Sequence, residues 1–366
     1  MIADLLTSPE EDELSASLRG LLAARCPSTR VLAMYDGDSS LTRDLWPALG
    51  IDMGLAGLLV DEQYGGAGAS ARDAAVVLEE LGRSLAPVPF LTSSVMAVAA
   101  LLAAQAVDPL REIAGGSLTC ALAAPLGTCI TTFSPTATFD DGGFVHGRVV
   151  RVAGTEGSGL LLVPASDPHG KLVLAVVDTA TAVLEPLASL DMSRPLADLQ
   201  FAGSPASVVA QGDSAAEAIR VALLLGAALL ASEQVGIAQW CLDTTVGYLL
   251  ERRQFGRLIG SYQAVKHRAA DLFIEVETAR AVARYAAATW ADGSEDRFVA
   301  SALAQAYCSD VSVHAAQECI QLHGGIGFTW EHPAHLYLKR AKADQVALGT
   351  PGEHRAILSG LVDLSM

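Results

Sequence analysis

The sequence predicts a mainly α protein with a central β domain, and two observations lead there. Every proline except Pro333 and Pro351 lies before Ala206, so the stretch between Pro205 and Pro333 is free of the residue that breaks helices. Helical periodicity fills that stretch, which implies a bundle of long helices. From about Gly116 to Val209 the texture differs, with short apolar runs separated by glycine, proline, serine and aspartate at short intervals. The reading is an N-terminal helical domain over 1–115, a middle antiparallel β domain over 116–209 and a C-terminal four-helix bundle over 210–366.

In chain order, Ser8-Pro9-Glu10-Glu11 supplies a capping serine, proline at the first helical position and glutamate three residues after the cap. A helix therefore runs from there to about Arg25, with Leu14, Leu18, Leu21 and Leu22 on its apolar face. A second helix is expected near Leu41 to Leu49. Gly66-Ala67-Gly68-Ala69-Ser70-Ala71 nominally fits a dinucleotide fingerprint. The fit is rejected, because a polar loop separates Val60 from the first glycine and no second strand ending in an acidic residue follows. The segment reads instead as a glycine-rich loop entering a helix from Ala71 to Arg83.

Strand-like runs follow at Leu118 to Leu122, Gly147 to Val152, Leu160 to Val163 and Leu172 to Val177, and Asp140-Asp141-Gly142-Gly143 has the composition of a hairpin turn. After Pro205, helices are expected at about 213–253, 262–290, 294–320, 334–346 and 352–364. Ala291-Asp292-Gly293-Ser294 separates the second from the third.

Composition removes several function classes. With 51% hydrophobic and 18% charged residues, the chain can bury a large core. A net charge of -17 repels phosphodiester backbones, so nucleic acid is not an expected partner. Met1-Ile2-Ala3-Asp4 lacks a basic segment followed by an apolar one, which argues against secretion. The most apolar run, Val221 to Ala231, is too short for a membrane span. Cys26, Cys120, Cys129, Cys241, Cys308 and Cys319 show no paired spacing and read as reduced core thiols of a cytoplasmic protein.

Two segments carry chemistry. Val235, Ala238, Leu242, Val246 and Leu249 recur at helical spacing, and the helix then meets Glu251-Arg252-Arg253-Gln254-Phe255-Gly256. That end offers guanidiniums for a phosphate and a flat ring for an aromatic group, with Gly256 to stop the helix. An isolated segment of this kind equally suits a solvated basic terminus complementing the helix dipole. The second segment, Gln321-Leu322-His323-Gly324-Gly325-Ile326-Gly327-Phe328, lets backbone approach a ligand or another chain closely. Together with Gly260-Ser261-Tyr262-Gln263 and Tyr337-Leu338-Lys339-Arg340-Ala341-Lys342, these segments resemble the acyl-CoA dehydrogenase family over residues 230–356.

The resemblance implies an oxidoreductase with FAD as cofactor and an electron-transfer flavoprotein as acceptor. It implies that Arg252, Arg253, Gln254, Phe255, Gln263, Gln321, Leu322, His323, Gly324 and Gly325 reach across a subunit interface. There they would hold the pyrophosphate and adenosine end of a neighbour's FAD. It also places the helix Ala71 to Arg83 and its exit toward Phe90 beside a substrate channel.

The same resemblance exposes what is missing. Desaturating an acyl-CoA needs a carboxylate to take the α proton while a flavin accepts the β hydride. The two family positions for that carboxylate are occupied by Leu348 and Gly226, so no catalytic base is assigned. Glu233, two turns beyond Gly226, is the nearest substitute; its other reading is an inter-helix ion pair. Glu331 and Glu353 are weaker candidates. Ala123 to Thr128 and Val150 to Gly154 stand where the family has its flavin-ring loops, and both depart from the pattern. His323, His332 and His335 fix no common face and have no evident partner ligand, so no metal is expected.

Loss on the catalytic side and retention on the clamp side imply a partner subunit of a heteromeric acyl-CoA dehydrogenase. It resembles the short subunit of actinobacterial α2β2 enzymes acting on steroid side chains, with a longer homologous chain supplying the glutamate and the acyl-CoA channel. Two other readings stand beside it: a self-sufficient homotetramer with Glu233 as relocated base, and a catalytically silent scaffold without FAD.

Overall fold

The computed structural model describes residues 5–362. Helices α1 (Pro9–Arg25), α2 (Ser28–Ala33), α3 (Ser40–Trp46), α4 (Ala71–Ser84), α5 (Val98–Ala103) and α6 (Val107–Ala114) form the first part. The expected capping box closes at Ser8: its hydroxyl accepts from the Glu11 amide at 3.2 Å and its own amide donates to the Glu11 carboxylate at 2.9 Å. Ser70 and Asp73 build a second box at the start of α4. Before it, the amides of Ala67, Gly68 and Ala69 donate to the carbonyls of Gly57, Val60 and Leu58. The glycine-rich loop thus spends those donors on its own chain. Wide π-type turns at Pro47–Asp52 and Phe90–Ala97 were not foreseen.

The β region comprises β1 (Cys120–Leu122), β2 (Ala137–Phe139), β3 (Phe144–Ala153), β4 (Leu160–Ser166), β5 (Leu172–Asp178), β6 (Val183–Leu187) and β7 (Leu196–Gln211). The hairpin expected at Asp140 to Gly143 joins β2 to β3. The ladder closes on itself, because β4 pairs with β2 on one side and β5 on the other, with β7 and β3 completing the ring. Val145, Val149, Leu161, Val163, Val177, Leu199 and Phe201 fill its interior. The sheet is not purely antiparallel: β1 and β2 both run parallel to β4 over a few residues. Alternating polarity identifies a strand but not the direction of its neighbour.

The remainder is α7 (Asp213–Glu251), a two-stranded ribbon β8 (Arg253–Gln254) and β9 (Arg257–Leu258), then α8 (Gln263–Ala291), α9 (Arg297–His323), α10 (Ala334–Val346) and α11 (Pro351–Leu361). Helix α7 stops at Glu251 rather than 253 because Arg253 and Gln254 enter the ribbon. It has a window of mean hydropathy 1.8, apolar and long enough to cross a membrane, although the 11-residue run within it looked too short; 94% of that window is buried inside the protein. Helix α4 crosses α7 with backbones almost touching. A Cβ on Gly82 would lie 2.1 Å from the Glu233 carbonyl, and one on Gly236 would lie 1.9 Å from that of Glu79, so only glycine fits at either position.

Candidate functional site

The end of α7 and the end of α9 lie at the same end of the bundle. Tyr248, one turn before Arg252, stacks on His323, the last residue of α9, with ring centroids 4.5 Å apart. Beyond Tyr248 the chain turns tightly through Phe255 and Gly256, both at positive φ (49° and 79°), the geometry of a two-residue hairpin turn. Phe255 is 93% exposed as a result. Arg252, Arg253 and Gln254 are also exposed, and among the described residues neither arginine has an ion-pair partner. Arg257 caps the Tyr262 ring at 3.7 Å, which stiffens the ribbon's return. Gln263 opens α8 at the same end and is exposed.

Gln321 is exposed on the last turn of α9, and Gly324 (φ +64°) and Gly325 face open space. Beside Gln321 a hollow of about 480 Å³ is lined by Phe328, Trp330, His335 and Lys339. Free guanidiniums, an exposed ring and open glycine backbone fit the phosphate and aromatic parts of a dinucleotide. His323 requires a correction. Its imidazole is buried, turned inward, and bonded to the Cys319 carbonyl at 2.7 Å, so its side chain does not face a ligand at this surface. Leu322 is half-buried.

The catalytic end is closed. A Cβ on Gly226 would lie 3.0 Å from Leu348 Cδ1 and 2.9 Å from Met96 Cγ, so both base positions converge on one spot filled by methionine. The two degenerate loops reach the same place. The Leu126 amide donates to the Arg151 carbonyl at 3.0 Å, and the Leu126 carbonyl accepts the Leu348 amide at 2.7 Å. Thr92, Met96, Leu122, Leu126, Leu223 and Leu348 leave a cavity of about 10 Å³, no larger than one water. The arginine hairpin and the glycine corner are exposed, whereas the spot where Gly226 and Leu348 meet is packed with apolar side chains. Met96 and Leu223 escaped the sequence reading because an apolar side chain that fills a former site looks like any other core residue.

Glu233 sits nearby, wholly committed to ion pairs. Arg194 Nη2 donates to its two oxygens at 2.5 and 2.6 Å, and Arg340 Nη1 donates at 2.6 Å. Arg340 also pairs with Asp191 and donates to Ser193 at 2.8 Å. Burial opposes the charge of Glu233, but the two guanidiniums outweigh it and hold the carboxyl below its usual range. A carboxylate so held is a poor proton acceptor, and the ion-pair reading of Glu233 is the one the structure bears out. Asp344 is the third carboxylate of the cluster. Burial pushes it up to about 8, with neighbouring Glu233 adding to the effect and Arg194, 3.6 Å away, opposing it. The visible signal for this network was the opposite charges of Arg340 and Asp344 one turn apart on α10, with Glu233 inside the apolar α7.

Elsewhere, Glu353 is the capping partner of Thr350, and Glu331 is exposed. His332 and His335 remain apart from any carboxylate, and no group of three metal-binding side chains occurs among the described residues.

Comparison with known proteins identifies the family. Residues 8–110 match the model of the acyl-CoA dehydrogenase N-terminal domain, and 216–360 that of the C-terminal domain. The chain is 36% identical over 346 residues to acyl-CoA dehydrogenase IpdE2 of Mycolicibacterium smegmatis, covering 94% of this chain and 96% of that protein. Its fold superposes on a variant of the Tcur3481–Tcur3483 steroid ACAD with a TM-score of 0.85 at 29% identity, over 97% of this chain and 98% of the other. It also superposes on the ChsE4–ChsE5 complex of Mycobacterium tuberculosis with a TM-score of 0.86 at 23% identity, over 99% and 100% of the two chains. On this likeness along nearly its whole length, the chain belongs to the acyl-CoA dehydrogenase family, FAD-dependent oxidoreductases acting on acyl-CoA.

Proposed function

We propose that this chain is the partner subunit of a heteromeric acyl-CoA dehydrogenase, clamping the pyrophosphate and adenosine end of FAD for an active site completed by another chain. The observation behind this reading is the convergence of Gly226, Leu348 and Met96 where a carboxylate and a flavin ring would need space. FAD, when bound, supplies the hydride acceptor. Arg252, Arg253, Gln254, Phe255, Gln263, Gln321, Gly324 and Gly325 would hold its outer end, and the longer homologous chain would contribute the glutamate and the acyl channel. The likeness to a steroid ACAD at 29% identity supports a steroid side-chain acyl-CoA as substrate. Electron-transfer flavoprotein is the expected acceptor, and the cytoplasm the expected location.

The alternative with Glu233 as base is disfavoured by the arginines that grip it. The test is co-expression with the longer homologue, followed by flavin content and acyl-CoA oxidation for each chain alone and for the pair. The expected result is activity and bound flavin only in the pair. Oxidation by this chain alone would refute the proposal.

A further inference from the structure

Behind the candidate clamp lies a continuous run of rings that none of the site residues explains. Tyr248 on α7 stacks on His323 at the end of α9, 4.5 Å away. His323 meets His332, in the loop before α10, at 4.1 Å. His332 approaches Trp240 on α7 at 6.4 Å, and Trp240 lies flat on Tyr337 of α10 at 3.6 Å with an interplanar angle of 4°. The Tyr337 hydroxyl then donates to the Arg83 carbonyl of α4 at 2.8 Å. Four helices and the loop after the glycine corner are thereby tied together at the end of the bundle that presents Arg252 and Gln321.

Two facts make this more than ordinary core packing. First, the stack begins one helical turn from Arg252, whose amide donates to the Tyr248 carbonyl at 2.9 Å. It ends each arm of the clamp on the same ring contact, Tyr248 for the hairpin and His323 for the glycine corner. Second, the contacts that hold the hairpin lie within its own segment, Ile259 N–H to the Arg252 carbonyl at 2.9 Å and Arg257 over the Tyr262 ring, and leave its tip in water. Phe255 is 93% exposed and Leu250 64% exposed, so the registration of the two arms depends on what lies beneath them.

We infer that the stack Tyr248–His323–His332–Trp240–Tyr337 is a positioning device that sets the separation of the arginine hairpin and the glycine corner, so that flavin affinity depends on rings that do not themselves touch the nucleotide. This inference rests on the proposed clamp. The recognised feature is the fixed span between guanidinium and glycine backbone that a dinucleotide bridges, and the rings are positioning residues.

The experiment uses the co-expressed pair and measures the dissociation constant of FAD by flavin fluorescence for five variants of this chain. The Tyr248 hydroxyl makes no hydrogen bond among the described residues, so Tyr248→Phe should keep affinity within about twofold. Tyr248→Leu and His332→Leu should each weaken it about tenfold or more, because ring contact is lost. His332 is half-buried in a loop, which keeps the second test available if Tyr248→Leu fails to assemble. Trp290→Leu removes a comparable ring from the end of α8, at the opposite end of the bundle, where its indole N–H donates to Ser301 of α9 at 2.8 Å, and should lower stability without changing flavin affinity. Arg252→Ala reports on the clamp. Loss of flavin in Arg252→Ala, with Tyr248→Leu and His332→Leu binding normally, overturns this inference alone; so does an equal loss in Trp290→Leu. A wild-type pair without flavin overturns the clamp and this inference together.

Discussion

Glu233 decides between two accounts of the chemistry, and its surroundings give the decision a sign. A buried carboxylate shared by two arginines is costly to break, since removing its charge takes from Arg194 its close anionic partner and leaves Arg340 with Asp191 alone. Glu233→Gln should therefore destabilise the chain by about 3 kcal/mol, seen as a lower midpoint in denaturant, while the surviving complex still oxidises substrate. Abolished oxidation in a folded complex would restore Glu233 as a base. Asp344 predicts a pH dependence. Its folded pKa of about 8 exceeds the unfolded carboxylate value of about 4, so the native state holds a proton that the unfolded state releases between those pH values. Stability from this group is thus present at low pH and lost as pH rises toward 8. Asp344→Asn should flatten the decline in stability measured between pH 6 and 8.5; an unchanged slope would show that another group is responsible. Sequence could identify Glu233 as an ion-pair candidate but could not name Arg194 or Asp191, which come from the distant segment before β7.

At the scale of elements, the hairpin between α7 and α8 holds stability and binding in opposition. Phe255 adopts a left-handed backbone conformation that costs a non-glycine residue about 1 kcal/mol, and its ring is left in water. Phe255→Gly should raise the midpoint of thermal unfolding slightly and weaken FAD binding in the pair. A rise in both, or no change in flavin affinity, would remove the ring from the clamp. The long helices were readable from the sequence because no proline interrupts Pro205 to Pro333 and glycine-containing breaks mark their stops, and the capping box at Ser8 was readable residue by residue. The closure of the β ring and its parallel neighbours were not, because pairing partners are set by chain topology rather than by local pattern. The Phe90–Ala97 turn that delivers Met96 to the closed pocket was missed for a related reason: a continuous apolar segment has no period to read.

Across the whole molecule, the surface proposed to serve a neighbour's FAD and this chain's own pocket differ in character. At the first, exposed arginines and open glycines stand on the surface; at the second, Gly226, Leu348, Met96, Leu126 and Leu223 pack around a cavity of about 10 Å³. Restoring one carboxylate should not restore function. Leu348→Glu would bury an unpaired charge beside Met96 and is expected to destabilise the fold by several kcal/mol without giving the chain acyl-CoA oxidation of its own. The most direct test of the account is the flavin affinity of the assembled pair when only this chain's Arg252 is changed to alanine. The account predicts FAD binding weaker by about tenfold or more, with turnover recovering at saturating FAD because the base resides in the other subunit. Flavin affinity equal to wild type would contradict it.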